Sequence, residues 1–203
     1  MKMNLPNKLT VLRLCLVPVL VIFGMLPEAW VPALISNIVC AVLFIATSVT
    51  DMLDGKIARK YNMITDFGKF LDPVADKFMV IGALFVILYK FDNLRLLMII
   101  TLIVVVFREL AVTSMRLVVS TGKNIVVAAN NLGKLKTVLQ IVAISTAFIE
   151  PVIIEVVNKI KPDLWSPDFT ILTWVTVGLS LVLTVWSGIA YLTSYWKYLD
   201  PQK

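Results

Sequence analysis

The sequence predicts an all-α polytopic membrane protein with six transmembrane helices and a short amino-terminal interfacial segment. The chain of 203 residues is 59% hydrophobic, whereas soluble domains are usually about 45–50% apolar. Its mean hydropathy is +0.90 and only 16% of its residues are charged. Apolar runs of the length that crosses a bilayer, roughly 20 residues, recur along the whole chain. We therefore expect residues 1–203 to form a single membrane domain.

The apolar runs define six predicted spans. The first is long enough to cross and has no small-residue cleavage site after it, so we expect it to be retained. The third is short unless its helix begins at the aspartates that precede it. The fourth and sixth exceed one bilayer thickness and should tilt or extend into water. The predicted spans are residues 9–26, 30–50, 74–90, 94–119, 135–158 and 169–196.

Local signals refine these spans. Asn7 is a predicted N-cap, with Lys8 beginning the first helix, and Met3 and Leu5 beside lysines suit a segment at the membrane interface. Pro73 is expected in the first turn of the third helix, where its missing N–H costs nothing. Gly82, further along the same span, should allow close helix packing.

The distribution of lysine and arginine predicts the orientation. Cytoplasmic segments of membrane proteins carry the excess of these residues. With six spans and an inner amino terminus, the inner side holds 15 of them and the outer side holds four, which are Lys90, Arg95, Lys159 and Lys161. Both termini and the aspartate cluster described next are therefore expected in the cytoplasm.

Composition also excludes several kinds of site. The chain has no histidine, so histidine bases and histidine metal sites are excluded. Cys15 and Cys40 lie within apolar runs, which is typical of small buried hydrophobic residues. The net charge is +6, and the lysines and arginines that carry it flank the membrane spans. Anionic lipids and phosphorylated substrates are therefore better partners than nucleic acid.

Four aspartates between the second and third spans are the candidate active site. A charged group at the centre of a membrane helix costs on the order of 2.5–3.5 kcal/mol on insertion scales, so a cluster requires compensating charge. Asp51 and Asp54 share one helix face, as do Asp72 and Asp76. Converging carboxylates select hard cations, Mg²⁺ or Mn²⁺, and two such ions could clamp a diphosphate.

Small residues surround these aspartates. Gly55, Ala58 and Gly68 leave space for a nucleotide or phosphate close to the backbone, and Arg59 offers a fork for phosphate oxygens. An acidic solvated loop would be the ordinary alternative for any one aspartate, but the conjunction of carboxylates, small residues and arginine favours a site.

The same residues resemble the motif of the CDP-alcohol phosphotransferase family. That motif reads Asp-x-x-Asp-Gly-x-x-Ala-Arg, then eight residues, then Gly-x-x-x-Asp-x-x-x-Asp. All of its positions are present: Asp51, Asp54, Gly55, Ala58, Arg59, Gly68, Asp72 and Asp76. The family displaces CMP from a CDP-linked lipid with an alcohol, using divalent metal. The resemblance implies that the four aspartates hold the metals, that Asp76 is also the general base, that the remaining motif residues line the CDP site, and that the protein is a homodimer.

The acceptor alcohol is expected beside Asp76. Arg108, Arg116, Lys134 and Lys136 place more positive charge on the inner side than a neutral alcohol needs, which favours an acceptor carrying its own phosphate. The alternative is that these residues set topology and contact lipid headgroups.

Two further stretches resemble the bacterial phosphatidylglycerophosphate synthase branch of the family. They are residues 4–13, followed by Pro18, and Arg108 to Leu110 with Arg116 and residues 133–137. This branch implies CDP-diacylglycerol as donor, glycerol 3-phosphate as acceptor and a bacterial plasma membrane as location. It also places Thr10 and Arg13 near the nucleotide or lipid phosphates.

Other functions remain open from the sequence. The same chemistry could use serine, inositol phosphate or a phosphatidylglycerol as acceptor. A divalent-cation transporter lined by the aspartates is a remote alternative, since a transporter needs polar groups along a path through the bilayer and here they lie at one end.

Overall fold

The computed structural model describes residues 3–61, 63, 65–123, 131–161, 165–166 and 170–196. Within that part of the chain the side chains of residues 59, 120–123 and 131 are not described. The described residues form helices and no strand, so the all-α prediction is confirmed. The helices are α1 (Leu5–Gly24), α2 (Ala33–Lys60), α3 (Asp66–Lys90), α4 (Arg95–Lys123), α5 (Asn131–Ile160) and α6 (Ile171–Trp196), with a 3₁₀ turn at Asp92–Leu94.

Among the described residues, five segments are long and apolar enough to cross a membrane: Leu5–Gly24, Ala33–Ala58, Asp92–Val119, Leu132–Ile160 and Ile171–Trp196. These correspond to five of the six predicted spans. Helix α3 is 25 residues long but is not among them, because Asp72, Asp76 and Lys77 interrupt its apolar sequence. The helix that carries Asp72 and Asp76 therefore lacks an uninterrupted apolar stretch of spanning length.

The amino terminus differs from its prediction in two ways. Asn4, rather than Asn7, is the N-cap of α1, and its side chain accepts a hydrogen bond from the Asn7 N–H. The helix can begin this early because Pro6 is tolerated in a first turn, where backbone N–H groups have no helical partner. From Leu5 onward the predicted interfacial segment is thus the first turn of α1 and not a separate element among the described residues.

Helix α3 begins earlier than predicted. Thr65 caps it by accepting from the Gly68 N–H at 3.1 Å, so the helix starts at Asp66. Pro73 consequently lies two turns inside the helix, and its prediction as a first-turn residue is wrong. The early start places Gly68, Asp72 and Asp76 on one continuous helix.

The core lies where α1, α3 and α5 meet their neighbours. Helix α1 packs against α2 and α3, α5 packs against α2 and α6, and α4 packs against α3 and α6. Val17, Phe44, Met79, Met98 and Phe148 are fully buried in one cluster. Val177 of α6 belongs to the same cluster, so all six helices contribute to this core.

The start of α6 is anchored by an acidic residue on α5. Glu150 accepts from the backbone N–H groups of Leu172 and Thr173 at 2.9 and 2.7 Å, and from the Thr173 hydroxyl at 2.6 Å. The first N–H groups of a helix have no partner within the helix, so this carboxylate supplies a cap from a neighbouring element. Glu150 lies within α5, which continues to Ile160.

Gly82 allows α3 to pack closely against α1, as predicted. A Cβ at this position would lie 2.9 Å from a methyl group of Val17 and 3.2 Å from one of Val21. We expect Gly82→Val to destabilise the protein by about 1–3 kcal/mol, the usual cost of overpacking. The matched control is Gly178→Val on α6, where no atom lies within 4 Å of the added Cβ. The unfolding midpoint in a denaturing-detergent titration checks this; equal midpoints for both variants would contradict the packing role of Gly82.

Candidate active site

The four aspartates lie at one end of the bundle, on the carboxyl-terminal part of α2 and the amino-terminal half of α3. Asp54 is buried, Asp51 and Asp76 are half-buried and Asp72 is exposed. Asp51 interacts electrostatically with both Asp72 and Asp76, and Asp54 interacts with Asp72. The structure therefore brings both predicted pairs into one cluster.

Arg13 bridges the two aspartates of α2. Its guanidinium donates to Asp51 Oδ1 at 2.5 Å and also to Asp54 Oδ2. Its side chain is fully buried, so the arginine and Asp54 form an ion pair removed from water. This pairing explains how a carboxylate can be buried in a membrane helix. Arg13, predicted near a phosphate, contacts the carboxylates themselves.

Thr10 connects α1 to α3 by a side-chain hydrogen bond, as Arg13 connects α1 to α2. Its hydroxyl lies 2.7 Å from Asp72 Oδ1 and donates to it. One turn earlier, Asn7 is buried and its Oδ1 accepts from the Thr65 hydroxyl at 3.0 Å. Asn4 Nδ2 donates to the Met63 carbonyl at 2.8 Å. One face of α1 therefore holds both aspartate-bearing helices and the connection between them.

The small residues of the motif line this end of the bundle. Gly68 is buried, and a Cβ there would lie 3.0 Å from Asn7 Oδ1 and 3.9 Å from Asp72 Oδ2. A larger residue would thus disturb α1 as well as any ligand. Gly55 and Ala58 are half-buried on α2. The predicted contact of the Arg59 side chain lies outside the described residues.

The donor chemistry of the cluster fits hard divalent cations, although the side chains are not arranged around one. Among the described residues, no three acidic or sulfur side chains are placed as ligands of a common metal. Arg13 and Thr10 instead engage Asp51, Asp54 and Asp72. Four carboxylates against one guanidinium nevertheless leave an excess of negative charge, and oxygen donors of this kind suit Mg²⁺ or Mn²⁺.

A second polar cluster lies on α4 and α5. Glu109 Oε1 accepts from Lys136 Nζ at 2.6 Å and from Arg108 at 2.9 Å. Lys136 is buried. These three residues line a small cavity of about 70 Å³ together with Asp76 and Gln140. Arg108 and Lys136, two of the predicted acceptor residues, therefore line the same cavity as Asp76.

A larger cavity of about 400 Å³ adjoins the small one. Arg108 and Thr137 line both cavities. Arg116 and Lys134 line only the larger cavity, and both are exposed. The structure thus divides the four predicted acceptor residues between a roomy basic cavity and a small one that ends at Asp76.

Sequence analysis did not consider Gln140 or Tyr191, two further polar residues that line these cavities. Gln140 follows Lys136 by four positions and so lies on the same helix face, which is a signal that the sequence contained. Tyr191 on α6 is separated by a long stretch of chain from α4 and α5, and no local pattern connects it to them.

An apolar groove of about 750 Å³ runs along α2 and α5. It begins beside Asp51 and Met52 at the aspartate end and extends past Ile45 and Ile149 to Leu172. Its lining is mainly apolar, with Asp51 and Glu150 as its charged members, so it suits a hydrocarbon chain whose polar end lies at the aspartates.

Comparisons with known proteins agree with this arrangement. A family model described as CDP-alcohol phosphatidyltransferase matches residues 3–186. The chain is 40% identical to the CDP-diacylglycerol–glycerol-3-phosphate 3-phosphatidyltransferase of Bacillus subtilis (strain 168), over 97% of each chain. It is 34% identical to a protein of the same name from Yersinia enterocolitica, over 99% of this chain and 100% of the relative. The chain therefore belongs to the CDP-alcohol phosphatidyltransferase family.

Proposed function

We propose that the protein transfers the phosphatidyl group of CDP-diacylglycerol to glycerol 3-phosphate, giving phosphatidylglycerophosphate and CMP in bacterial phospholipid biosynthesis. The names of its full-length relatives support this reaction. The structural observation that carries it is the pair of adjoining cavities, in which a basic chamber leads to a smaller one that ends at Asp76.

The shape and charge of the two cavities suit a phosphorylated alcohol. The larger cavity is within the size range of small-molecule sites and offers Arg108, Arg116 and Lys134 to a phosphate. The smaller cavity has room for a hydroxyl-bearing end. An acceptor bound by its phosphate in the first would therefore direct its hydroxyl into the second, towards Asp76.

Asp76 is proposed as the general base. Its carboxylate accepts the proton of the acceptor hydroxyl while that oxygen attacks the β-phosphorus of the CDP-lipid. The bond from this phosphorus to the bridging oxygen breaks, and CMP leaves with the bonding electrons. Because phosphoryl transfer depends mainly on positioning and charge neutralisation, a weak carboxylate base is sufficient when donor and acceptor are aligned.

Asp51, Asp54, Asp72 and Asp76 are proposed to hold two divalent cations, Mg²⁺ or Mn²⁺. Such ions supply neutralisation of the diphosphate charge when they are bound. The surplus of carboxylate over the one buried guanidinium supports this assignment.

The donor lipid is proposed to lie with its nucleotide at the aspartates and an acyl chain in the α2–α5 groove. Gly55, Ala58, Arg59 and Gly68 line the CDP site in this proposal. Thr10 and Arg13 contribute to the same site through their contacts with the aspartates. The groove opening beside Asp51 supports this placement.

We further propose that α3 is a sixth span and that both termini and the active site face the cytoplasm of a bacterial plasma membrane. The excess of lysine and arginine at the aspartate end supports this orientation. We also propose a homodimer. Phe70, Phe78, Phe85 and Tyr89 form an exposed aromatic row on α3, which a second copy could cover.

The reaction is tested by CMP release from purified protein in detergent with CDP-diacylglycerol and Mg²⁺. We expect turnover with glycerol 3-phosphate and none with inositol phosphate, serine or no acceptor. Removal of divalent ions by a chelator should abolish turnover, and added Mg²⁺ or Mn²⁺ should restore it. Turnover with a different acceptor would retain the family chemistry but refute the proposed reaction.

Asp76→Asn should lower kcat by about 10²–10⁴-fold, the usual contribution of a general base, because the amide cannot accept the hydroxyl proton. Steady-state kinetics with both substrates checks this. Asp66→Asn is the matched control, since Asp66 lies on the same helix with its side chain 99% exposed and pairs only with Lys69 in the described structure. An Asp76→Asn variant with wild-type kcat would exclude this residue as the base.

Lys134→Ala should raise the KM for glycerol 3-phosphate roughly 5- to 20-fold, as expected for the loss of a charge-assisted contact to phosphate. The kcat should change little, because the residue lies away from Asp76. Lys159→Ala, at the opposite end of α5, removes an exposed lysine paired with Glu155 and should leave both constants unchanged. Identical KM values for the two variants would remove Lys134 from the acceptor site.

A further inference from the structure

Gln140 on α5 is a buried amide with an unused donor. The residue is 3% exposed, and its Nε2 has no hydrogen-bond partner in the described structure. Polar atoms buried in a protein are almost always paired, and one left unpaired is unfavourable. An unpaired donor at the wall of a cavity therefore points to a ligand atom that completes it.

The unpaired atoms of this protein concentrate at the two adjoining cavities. Among the described residues, five buried side-chain nitrogen or oxygen atoms have no partner. Three of them, on Arg108, Gln140 and Tyr191, belong to residues that line these cavities. The concentration indicates a polar ligand and not a general packing defect.

Other side chains that line the small cavity already make hydrogen bonds. Lys136 Nζ donates to Glu109, Lys77 Nζ donates to the Thr113 hydroxyl, and the Thr137 hydroxyl donates to the Gly133 carbonyl at 3.1 Å. Gln140 Nε2 and Arg108 Nε line the same cavity and have no partner in the described structure, so both are available to an oxygen atom of a ligand. The cavity of about 70 Å³ exceeds the roughly 10–15 Å³ that one water molecule requires, so it has room for a short polar group.

We propose that Gln140 determines specificity by donating a hydrogen bond to the hydroxyl next to the one that reacts. The inference rests on the proposed function: glycerol 3-phosphate has two adjacent hydroxyl groups, of which the terminal one reaches Asp76. Gln140 and Asp76 line the same small cavity, so one residue can bind the retained hydroxyl while the other accepts the proton. The site thus selects a vicinal diol phosphate over a phosphate with a single hydroxyl.

The test compares glycerol 3-phosphate with 3-hydroxypropyl phosphate, which lacks only the middle hydroxyl. Wild-type protein should prefer glycerol 3-phosphate in kcat/KM by about 100-fold or more, because a site built to bind a hydroxyl strongly rejects the analogue without it. Gln140→Met, of similar length but without the amide, should lower kcat/KM for glycerol 3-phosphate on the order of 10- to 100-fold. It should change kcat/KM for the deoxy substrate by less than about threefold, so that the preference collapses.

Thr176→Val is the control, since Thr176 is half-buried on α6, lines neither cavity, and donates its hydroxyl to the backbone of its own helix; it should retain the wild-type preference. Equal losses with both substrates in Gln140→Met would assign the residue a structural role and overturn the proposal. If Gln140→Met does not fold, two other measurements decide. A wild-type preference for glycerol 3-phosphate below about tenfold overturns the proposal. A large wild-type preference that is lost in Gln140→Glu supports it. Wild-type protein that turns over only another acceptor would refute the proposed function, which is a separate outcome.

Discussion

The buried pairing of Arg13 with Asp51 and Asp54 is the interaction on which the site depends. Removing one partner of a buried ion pair typically costs about 3–5 kcal/mol, because the other charge is left uncompensated. Arg13 and Asp54 are almost completely inaccessible, so each requires the other. Together with the Thr10–Asp72 bond, this pairing fixes α2 and α3 relative to α1. A helix that carries none of the family motif therefore determines where the motif's carboxylates lie.

The acidic and basic groups occupy separate regions that meet at Asp76. On one side, Asp51, Asp54 and Asp72 form the acidic cluster around Arg13, and on the other, Arg108 and Lys136 lie with Glu109. A nucleotide diphosphate with cations suits the first region, and an anionic acceptor suits the second. Because Asp76 interacts with groups of both regions, donor and acceptor would be brought together at the residue that is proposed to remove the proton. Phosphoryl transfer requires this kind of positioning.

The sequence could predict what is encoded by short spacings. Hydropathy located the helices, and the i,i+3 and i,i+4 spacings placed each aspartate pair on one face, as the structure confirms. The predicted starts of α1, at Asn7, and of α3, near Pro73, were wrong. An N-cap depends on which side chain reaches the free N–H groups, and several neighbouring residues were suitable. The contacts of Arg13, Glu150 and Tyr191 could not be predicted, since each joins residues that are distant along the chain and meet only after the helices pack.

Glu109 illustrates how such a distant contact can affect function without touching a substrate. Lys136 is buried near Asp76 and interacts with it electrostatically, so without another partner its ammonium would pair with that carboxylate. Glu109 Oε1 instead pairs with Lys136 Nζ at 2.6 Å. In the described part of the chain, no cation lies within salt-bridge distance of Asp76. An engaged lysine leaves the Asp76 oxygens available to an incoming hydroxyl while its positive charge remains close to an anionic acceptor. Glu109 thus allows the proposed base and a cation to coexist in one small cavity.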